Sequence, residues 1–412
     1  METRFDVIVI GGGAAGMMAA GTAASRGKYV LLLEQNTELG KKLSITGGGR
    51  CNIINAEEDV QTLLANFGDA APFLFSAFSA FGVREAFTFF ESLGLPLVVQ
   101  KNKRAFPKTE WAPDVVTALE QYLRKGKVEV RTGTPVLRIK TEDGKITGIQ
   151  TQGFSYVADS YIFATGGLSH PETGSTGDGF AWLNELGHTV AQPTPTIVPL
   201  AASDAWIPKL KGKTFVDAKI TFFMDGVRKF SKRGDILLTH FGLSGPTILN
   251  TAGAVRDLLY GGIVTATIDL FPGTDLGILD AQLVAHFELN KNKLLRNTLP
   301  EILPNGTTDV LLSLVPSLPP DTKVHSVTKE QRRALIDLLK GVPVSITGLM
   351  GFNRAVVADG GVHLSEIDMR TMRSKKCENL FVTGDLLHIS RPSGGYSLQL
   401  CWTTGFVAGT NA

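Results

Sequence analysis

The sequence predicts an α/β fold: a parallel sheet with helices on its faces, interrupted by an inserted antiparallel β-domain and a helical subdomain. Three observations predict it. Residues 5–35 read strand, glycine turn, helix, strand, which is the grammar of a βαβ unit. Beyond the proline-rich stretch 191–199 the pattern changes to short alternating strands. Near the end, a short apolar strand running into Gly384-Asp385 and a final helix return to the opening grammar, so the first domain is discontinuous. The expected divisions are 1–190 with 345–412, an inserted barrel-like β-domain over 191–273, and helices over 274–344.

The opening unit is the most informative. Asp6–Ile10 is β-branched and too short for a helix, so it reads as a buried strand. Gly11, Gly13 and Gly16 then give G-x-G-x-x-G, followed by a small-residue helix over Ala14–Arg26 with Gly27 where a helix C′ glycine belongs. Lys28–Glu34 is a second strand, ending in an acid. Gly11 permits the tight turn, Gly13 lets backbone approach a pyrophosphate, and Gly16 lets the helix lie close on the strand. The unpaired N–H groups at the helix start, around Ala14 and Ala15, face the phosphates. Glu34 lies 23 residues after Gly11, near the ~20-residue spacing of a carboxylate that accepts ribose hydroxyls, and Gln35 stands beside it. This is a Rossmann-like, nucleotide-binding arrangement; the plainer alternative is a glycine-rich turn in another α/β protein.

Composition narrows the classes. A chain of 412 residues with 43% apolar content has room for two or three packed domains. A net charge of +2 neither demands nor excludes an acidic partner. Cys51, Cys377 and Cys401 include no C-x-x-C pair, which argues against a disulfide framework and for a reducing cytoplasm. Val7–Ser25 carries no charge and follows Arg4, so it imitates a leader or membrane span. The strand–turn–helix grammar explains it better, and neither a targeting segment nor a membrane helix is expected.

The remaining elements follow in order. Leu39–Asn52 is a polar loop holding Lys41, Lys42, Ser44, three glycines at 47, 48 and 49, Arg50 and Asn52. Gly47, Gly48 and Gly49 can turn several backbone N–H groups on a ligand, with cations for a phosphate or an electron-rich ring; otherwise the loop is a solvated surface segment. Residues 72–94 carry Phe73, Phe75, Phe78, Phe81, Phe87, Phe89 and Phe90, a core stripe or in part a cavity wall. Lys101, Lys103, Arg104 and Lys108 form a basic loop around Phe106. Pro113–Arg124 reads as a helix, Val128–Arg131 and Val136–Lys140 as strands, and Ile146–Gln152 with Phe154–Val157 as a hairpin. Asp159–Ala164 is a further strand running into Thr165-Gly166-Gly167, the sheet edge where α/β ligands sit. Asp178 is placed to cap the helix Phe180–Leu186, or to contact a ligand. Lys219–Met224, Val227–Phe230, Asp235–Thr239 and Ile263–Leu270 are the antiparallel strands. Leu276, Leu279, Leu283 and Phe287 give a helical face, and Thr328–Gln331 is a capping box. Lys291, Lys293, Arg296, Lys329, Arg332 and Arg333 make this part basic, either a solvated face or an RNA-phosphate contact. After Gly341 the chain is expected to return to the first domain, with the strand Leu380–Thr383 and a helix over Leu398–Ala408.

A resemblance now adds to this reading. GKKLSITGGGRCNIIN (40–55) resembles the GKKLLISGGGRCN-type signature of the BaiN/YhiN-type flavoprotein family, aminoacetone-oxidase-like in some descriptions. ATGGLSHPETGSTGDGF (164–180), ILLTHFGLSGPTIL (236–249) and the tail from Gly360 to Gln399 resemble further family segments. The chain departs from the pattern at His170 for Tyr, Asp385 for Glu, and Leu387–Pro392 for an LDVDG-like loop. The resemblance implies a glutathione-reductase-type FAD-binding domain. It places Lys42, Ser44, Gly47–Arg50, Asn52, the backbone of Val136, Ala164, Thr165, Gly166, Gly384, Asp385, Gly394, Gly395 and Ser397 around FAD. With one G-x-G-x-x-G there is no second nicotinamide domain, so NAD(P)H is expected as a transient donor at the flavin face. Candidate proton handlers are His240, Cys51 and Tyr396; for His240 the plain alternative is a structural histidine, for Cys51 a small buried apolar residue. The expected activity is FAD-dependent oxidoreduction, first of an activated C=C bond. Alternatives are uridine reduction in large-subunit rRNA, amine oxidation, and flavin binding without turnover. The expected partners are therefore a small-molecule or rRNA substrate, with no metal and no membrane.

Overall fold

Seven strands make the main sheet of the computed structural model, which describes residues 3–412. They are β1 (Thr3–Ile10), β2 (Val30–Leu33), β3 (Glu129–Arg131), β4 (Val136–Glu142), β5 (Lys145–Thr151), β6 (Ser155–Phe163) and β7 (Leu380–Val382). β1 lies centrally, parallel to β2 on one side and to β6 on the other, and β3 extends the sheet parallel to β2. β6 has two neighbours on its far edge: β5 pairs antiparallel with its start, and β7 pairs parallel with its end. The apolar runs Val7–Ile10 and Val30–Leu33 are buried, as a sheet covered on both faces requires.

The small-residue helix α1 (Ala14–Ser25) packs on this sheet, and α2 (Tyr396–Asn411) packs against α1. A Cβ at Gly405 or Gly409 would fall on the carbonyls of Ala15 and Ala19, so α2 approaches α1 backbone to backbone. The phenylalanine helices Ala71–Ala80 and Val83–Ser92 bury Phe73, Phe78 and Phe90 in the same core, which Phe81 joins between them; Phe75 stays exposed. Among the described residues no single helix is long and apolar enough to cross a membrane.

By contacts the chain divides into two units: residues up to Pro195 with Phe352–Ala412, and Thr196–Gly351. The second unit is built on a closed antiparallel barrel. Its strands, in spatial order, are Leu200–Ala202, Gly242–Ser244, Val227–Leu238, Thr214–Met224, Val264–Asp269 and Val342–Leu349. Ala218, Ile220 and Phe222 alternate inward with Ala266 and Ile268 from the facing strand. The helices Leu276–Leu289 and Lys329–Lys340 belong to this unit; Leu279, Leu283 and Phe287 form the buried face, while Leu276 is exposed. The Thr328–Gln331 capping box is formed, with both reciprocal hydrogen bonds in place.

Three expectations need correction. Phe154–Val157 and Asp159–Ala164 are one strand, β6, and Val227–Phe230 and Asp235–Thr239 are likewise one. In both cases polar residues in the middle break the alternation while cross-strand pairing continues through them. After Gly341 the chain does not return at once: Val342–Leu349 closes the barrel first.

Candidate functional site

The carboxyl ends of β1, β2, β6 and β7 gather the turns that the sequence singled out. At the end of β1, Gly11 has φ +106°, and its missing Cβ makes room for the Ala164 carbonyl at the end of β6. Gly16 lies against the Gly11 carbonyl, so α1 sits close on the turn. Gly12, which the motif treats as a free position, is tightly packed by Leu39 and Glu34. Gly13 alone of these has nothing within 4 Å of a built Cβ, and it begins α1 without a side-chain cap. The turn therefore exposes backbone N–H groups on an open face. Ala14 and Ala15 form the first turn of α1.

Glu34 at the end of β2 is 7% exposed. Its Oε2 accepts the Gly12 N–H at 2.6 Å, and its Oε1 accepts Asn36 N–H at 2.8 Å and Nδ2 at 2.7 Å. Three of about four lone-pair positions are thus used, leaving one on Oε2. Gln35 donates to the Gly174 carbonyl at 2.5 Å, which draws the 171–174 turn over the strand end. Val136 opens β4 next to this point, where Thr134 N–H donates to the Glu34 carbonyl at 2.8 Å.

The triple-glycine loop spans the site from one end to the other. Gly40 N–H donates to the Gly12 carbonyl at 2.9 Å. In the middle, Lys42 Nζ lies 3.3 Å from Asp385 Oδ2 and 3.4 Å from Ser169 Oγ. At the far end, the Asn52 amide in its satisfied orientation accepts Gly395 N–H at 3.0 Å, and Asn55 Nδ2 donates to the Gly394 carbonyl at 3.0 Å. Gly47, Gly48 and Gly49 all have positive φ and lie at or near the surface. Ser44 turns back locally, donating to the Lys41 carbonyl at 2.8 Å. Arg50 stacks on Phe106 at 4.6 Å and meets Glu110 at 3.5 Å, on the surface.

Asp385 follows β7 and Gly384. Its carboxylate is held between Lys42 and Arg391, and the side chain is 16% exposed. Burial pushes its carboxyl up, but the charges and hydrogen bonds of Arg391 and Lys42 outweigh this and hold it below the usual range. Arg391 also donates to Ser397 Oγ at 3.0 Å and to the Ile389 carbonyl at 2.7 Å. α2 then starts at Gly395, again with no side-chain cap. Gly166 stands near Lys42 and Ser175, and the buried hydroxyl of Thr165 has no hydrogen-bond partner. The opening glycine turn, the triple-glycine loop and the tail helix thus converge.

The three proton-handler candidates separate. Cys51 is fully buried, and burial pushes its thiol up to about 12 despite a hydrogen bond from Thr46. It carries no thiolate at neutral pH, and the buried-apolar reading replaces the catalytic one. Tyr396 is half-buried at the start of α2, its ring edge-on to Phe67, and burial raises its phenol. His240 is exposed in the second unit with its ring against Phe241, so it is not the buried structural histidine of the plain alternative. Asp178 does not cap its helix: Gly177 is the N-cap, and Asp178 accepts the Thr176 hydroxyl at 2.5 Å. Sequence reading missed Gly12, Asn55 and Arg391; only Arg391 left a signal, lying in the loop that departs from the family pattern.

A family model described as the HI0933-like protein Rossmann domain matches residues 5–411. The chain belongs to this family. The resemblance read from its motifs is thereby borne out. A 3-dehydro-bile acid delta(4,6)-reductase of Clostridium scindens is 30% identical over 407 residues, covering 98% of each chain. A ribosomal RNA dihydrouridine synthase of Escherichia coli is 28% identical over 404 residues, covering 98% of this chain and 96% of that one. In fold the chain is similar to a 3-ketosteroid-delta4-(5alpha)-dehydrogenase from Rhodococcus jostii, with TM-score 0.57, 14% identity, and coverage of 99% and 96%. As a member of this family, the chain is a flavin-dependent oxidoreductase.

The residues present fit FAD. Gly13 offers an empty backbone cradle, two helices begin uncapped, and Glu34 and Asp385 each keep acceptor capacity for hydroxyl groups. Among the described residues no three His, Cys, Asp or Glu side chains group as metal ligands.

Proposed function

We propose that the protein is an FAD-dependent reductase of a carbon–carbon double bond conjugated to a carbonyl, with NAD(P)H as the electron donor. The observation that carries this reading is the span of the triple-glycine loop, tied to Gly12 at one end, Asp385 in the middle and Gly395 at the other. The length of such a frame supports an elongated dinucleotide rather than a single phosphate. The bound flavin would supply two-electron hydride chemistry. Around it, the start of α1 would hold the pyrophosphate, Glu34 a ribose hydroxyl, Val136 the adenine edge, and Asp385 the ribityl chain. The N–H groups opening α2 would face developing negative charge. Tyr396, whose phenol keeps its proton well above neutral pH, is the proton donor at that end.

The activities of the two relatives are both consistent with such a bond, because a steroid-type enone and the uracil ring each hold a C=C conjugated to a carbonyl. A small enone comes first. The helical cations proposed for RNA are largely neutralised within the protein: Lys291 meets Glu288 at 2.6 Å, Arg296 meets Asp321 at 3.3 Å and Arg332 meets Asp280 at 2.6 Å. Uridine in rRNA is the second reading, favoured by Lys209, Lys229 and Lys232, which are exposed and carry no ion pair among the described residues.

The test is anaerobic. NADH or NADPH should bleach the bound flavin, and a steroid enone should restore the yellow colour within the turnover time. Reoxidation by a uridine-containing rRNA fragment and not by the enone selects the second reading. Reoxidation by oxygen alone refutes both. Tyr396→Phe should slow the enone step without changing flavin bleaching, and an equal rate would overturn Tyr396 as the proton donor.

A further inference from the structure

Arg391 is the most deeply buried cation among the described residues, 4% exposed overall and 1% at the side chain. Burying a guanidinium costs several kcal/mol unless its donors are met. Here they are met by three groups: the Asp385 carboxylate, the Ile389 carbonyl at 2.7 Å and the Ser397 hydroxyl at 3.0 Å. These belong to the turn after β7, the connecting loop and the first turn of α2. Arg391 therefore fastens the carboxylate that follows β7 to the start of the tail helix. A planar fork does this where an ammonium would not, because it reaches both Asp385 and Ser397 in a fixed geometry.

The charge matters as well. Asp385 is one anion facing two cations, Lys42 and Arg391, so the cluster is left with an excess positive charge. Of the two, Lys42 is the more exposed, with a side chain 27% accessible, and is the better screened by water. The buried, unscreened cation is Arg391. A flavin held against this cluster gains electrons on reduction, and a nearby fixed cation lowers the free energy of the electron-rich form.

We infer that Arg391 is the positioning residue of the cofactor site: it orients Asp385 and the first turn of α2 for FAD, and its charge raises the flavin reduction potential. The inference rests on the FAD reading given above. It assigns to the Leu387–Pro392 loop, a departure from the family pattern, a role in setting the cofactor's redox poise.

The experiment compares wild type with Arg391→Gln, Arg391→Lys, Asp385→Asn and the Asp385→Asn/Arg391→Gln double variant. FAD affinity is read by titrating flavin-free protein with FAD, and the midpoint potential by equilibration with a reference dye. Circular dichroism of the flavin-free protein reports the fold. Arg391→Gln should bind FAD about tenfold more weakly, through loss of charge-assisted hydrogen bonds. Its midpoint potential should fall by about 30 mV, the two-electron equivalent of tenfold. In the Asp385→Asn background the same change should cost little further affinity, because Arg391 acts through that carboxylate. Arg391→Lys should restore the potential while affinity stays below wild type.

Unchanged affinity and potential in Arg391→Gln overturn the inference, as do affinity losses that simply add in the double variant. Should Arg391→Gln fail to fold, Arg391→Lys decides: wild-type potential with weakened affinity supports the assignment, and wild-type affinity overturns it. Wild-type protein that takes up no FAD refutes the flavin reading itself, a result visible before any variant is made.

Discussion

Gly405→Ala is the sharpest test of the helix pair that frames the site. A Cβ built on Gly405 stands 2.5 Å from the Ala15 carbonyl oxygen and 3.2 Å from Met18 Cβ. Ordinary contact begins near 3.4 Å, so α2 must retreat from α1 by about 0.9 Å (3.4 − 2.5), or bend to the same effect. A gap of that size forfeits roughly a quarter to a half of the dispersion well of each contact it opens. Overpacking of this kind costs about 1–3 kcal/mol, and the better helix propensity of alanine returns about 1 kcal/mol. The net expectation is a loss of up to about 2 kcal/mol. Gly253→Ala is the control. Gly253 is also helical but has nothing within 4 Å of its built Cβ, and the change there should be neutral or stabilising. Urea midpoints of the flavin-free proteins, followed by far-UV circular dichroism, give both values. The retreat also displaces Gly395 and Tyr396 at the head of α2, so Gly405→Ala should bind FAD more weakly than Gly253→Ala. A Gly405→Ala midpoint above wild type would mean that α2 does not lie against α1 as described.

Further expectations concern acid stability, thiol chemistry and one buried hydrogen bond. His188 is buried between Glu366 at 3.0 Å and Ser374 at 2.8 Å. Burial lowers its pKa below 6.5 despite Glu366, so the folded state takes up its proton later than the unfolded one, and stability falls as pH drops below 6.5. Burial raises Glu366, but hydrogen bonds from Lys376, Thr189 and His188 pull it from 4.5 to about 2, so its contribution is present above pH 4.5 and is lost as pH falls toward 2. His188→Gln should flatten the upper part of this profile in pH-dependent denaturation and leave the lower part. Native protein should leave Cys51 unmodified by a thiol-alkylating reagent at pH 8, and Cys51→Ala should retain bound flavin; rapid labelling would overturn its assignment as an inert core residue. Trp402 donates from Nε1 to the buried Ile53 carbonyl at 3.1 Å, so Trp402→Phe should lose about 1–3 kcal/mol in the same urea assay.

How much of this was legible in the chain differs from place to place. The βαβ unit over residues 5–35 was readable almost residue by residue, because strand, turn, helix and acid follow one another and each signal is local. The capping box at Thr328–Gln331 was readable for the same reason. The glycine loop and the tail could be assigned to one cofactor through their resemblance to a family, without knowing how they meet. Strand boundaries failed where polar residues interrupt the alternation, at Ala158–Ser160 and Ser231–Gly234, because pairing with neighbours distant in sequence carries those strands through. The closing barrel strand Val342–Leu349 was hidden likewise, since its partners begin at residues 200 and 264.

The site shows the same division more sharply. The amino-acid order by itself determined the kinds of group available: glycines spaced for a phosphate turn, an acid at a strand end, and cations beside a triple glycine. Tertiary structure alone decided which of them meet. Lys42 reaches Asp385 across 343 positions, and Asn52 finds Gly395 across a similar span. It also decided that Gly12 packs while Gly13 stays open, that Cys51 is sealed away, and that Arg391 points inward. The reason is physical: backbone propensity and periodicity act over a few residues, whereas burial and charge pairing depend on neighbours that only the folded chain brings together.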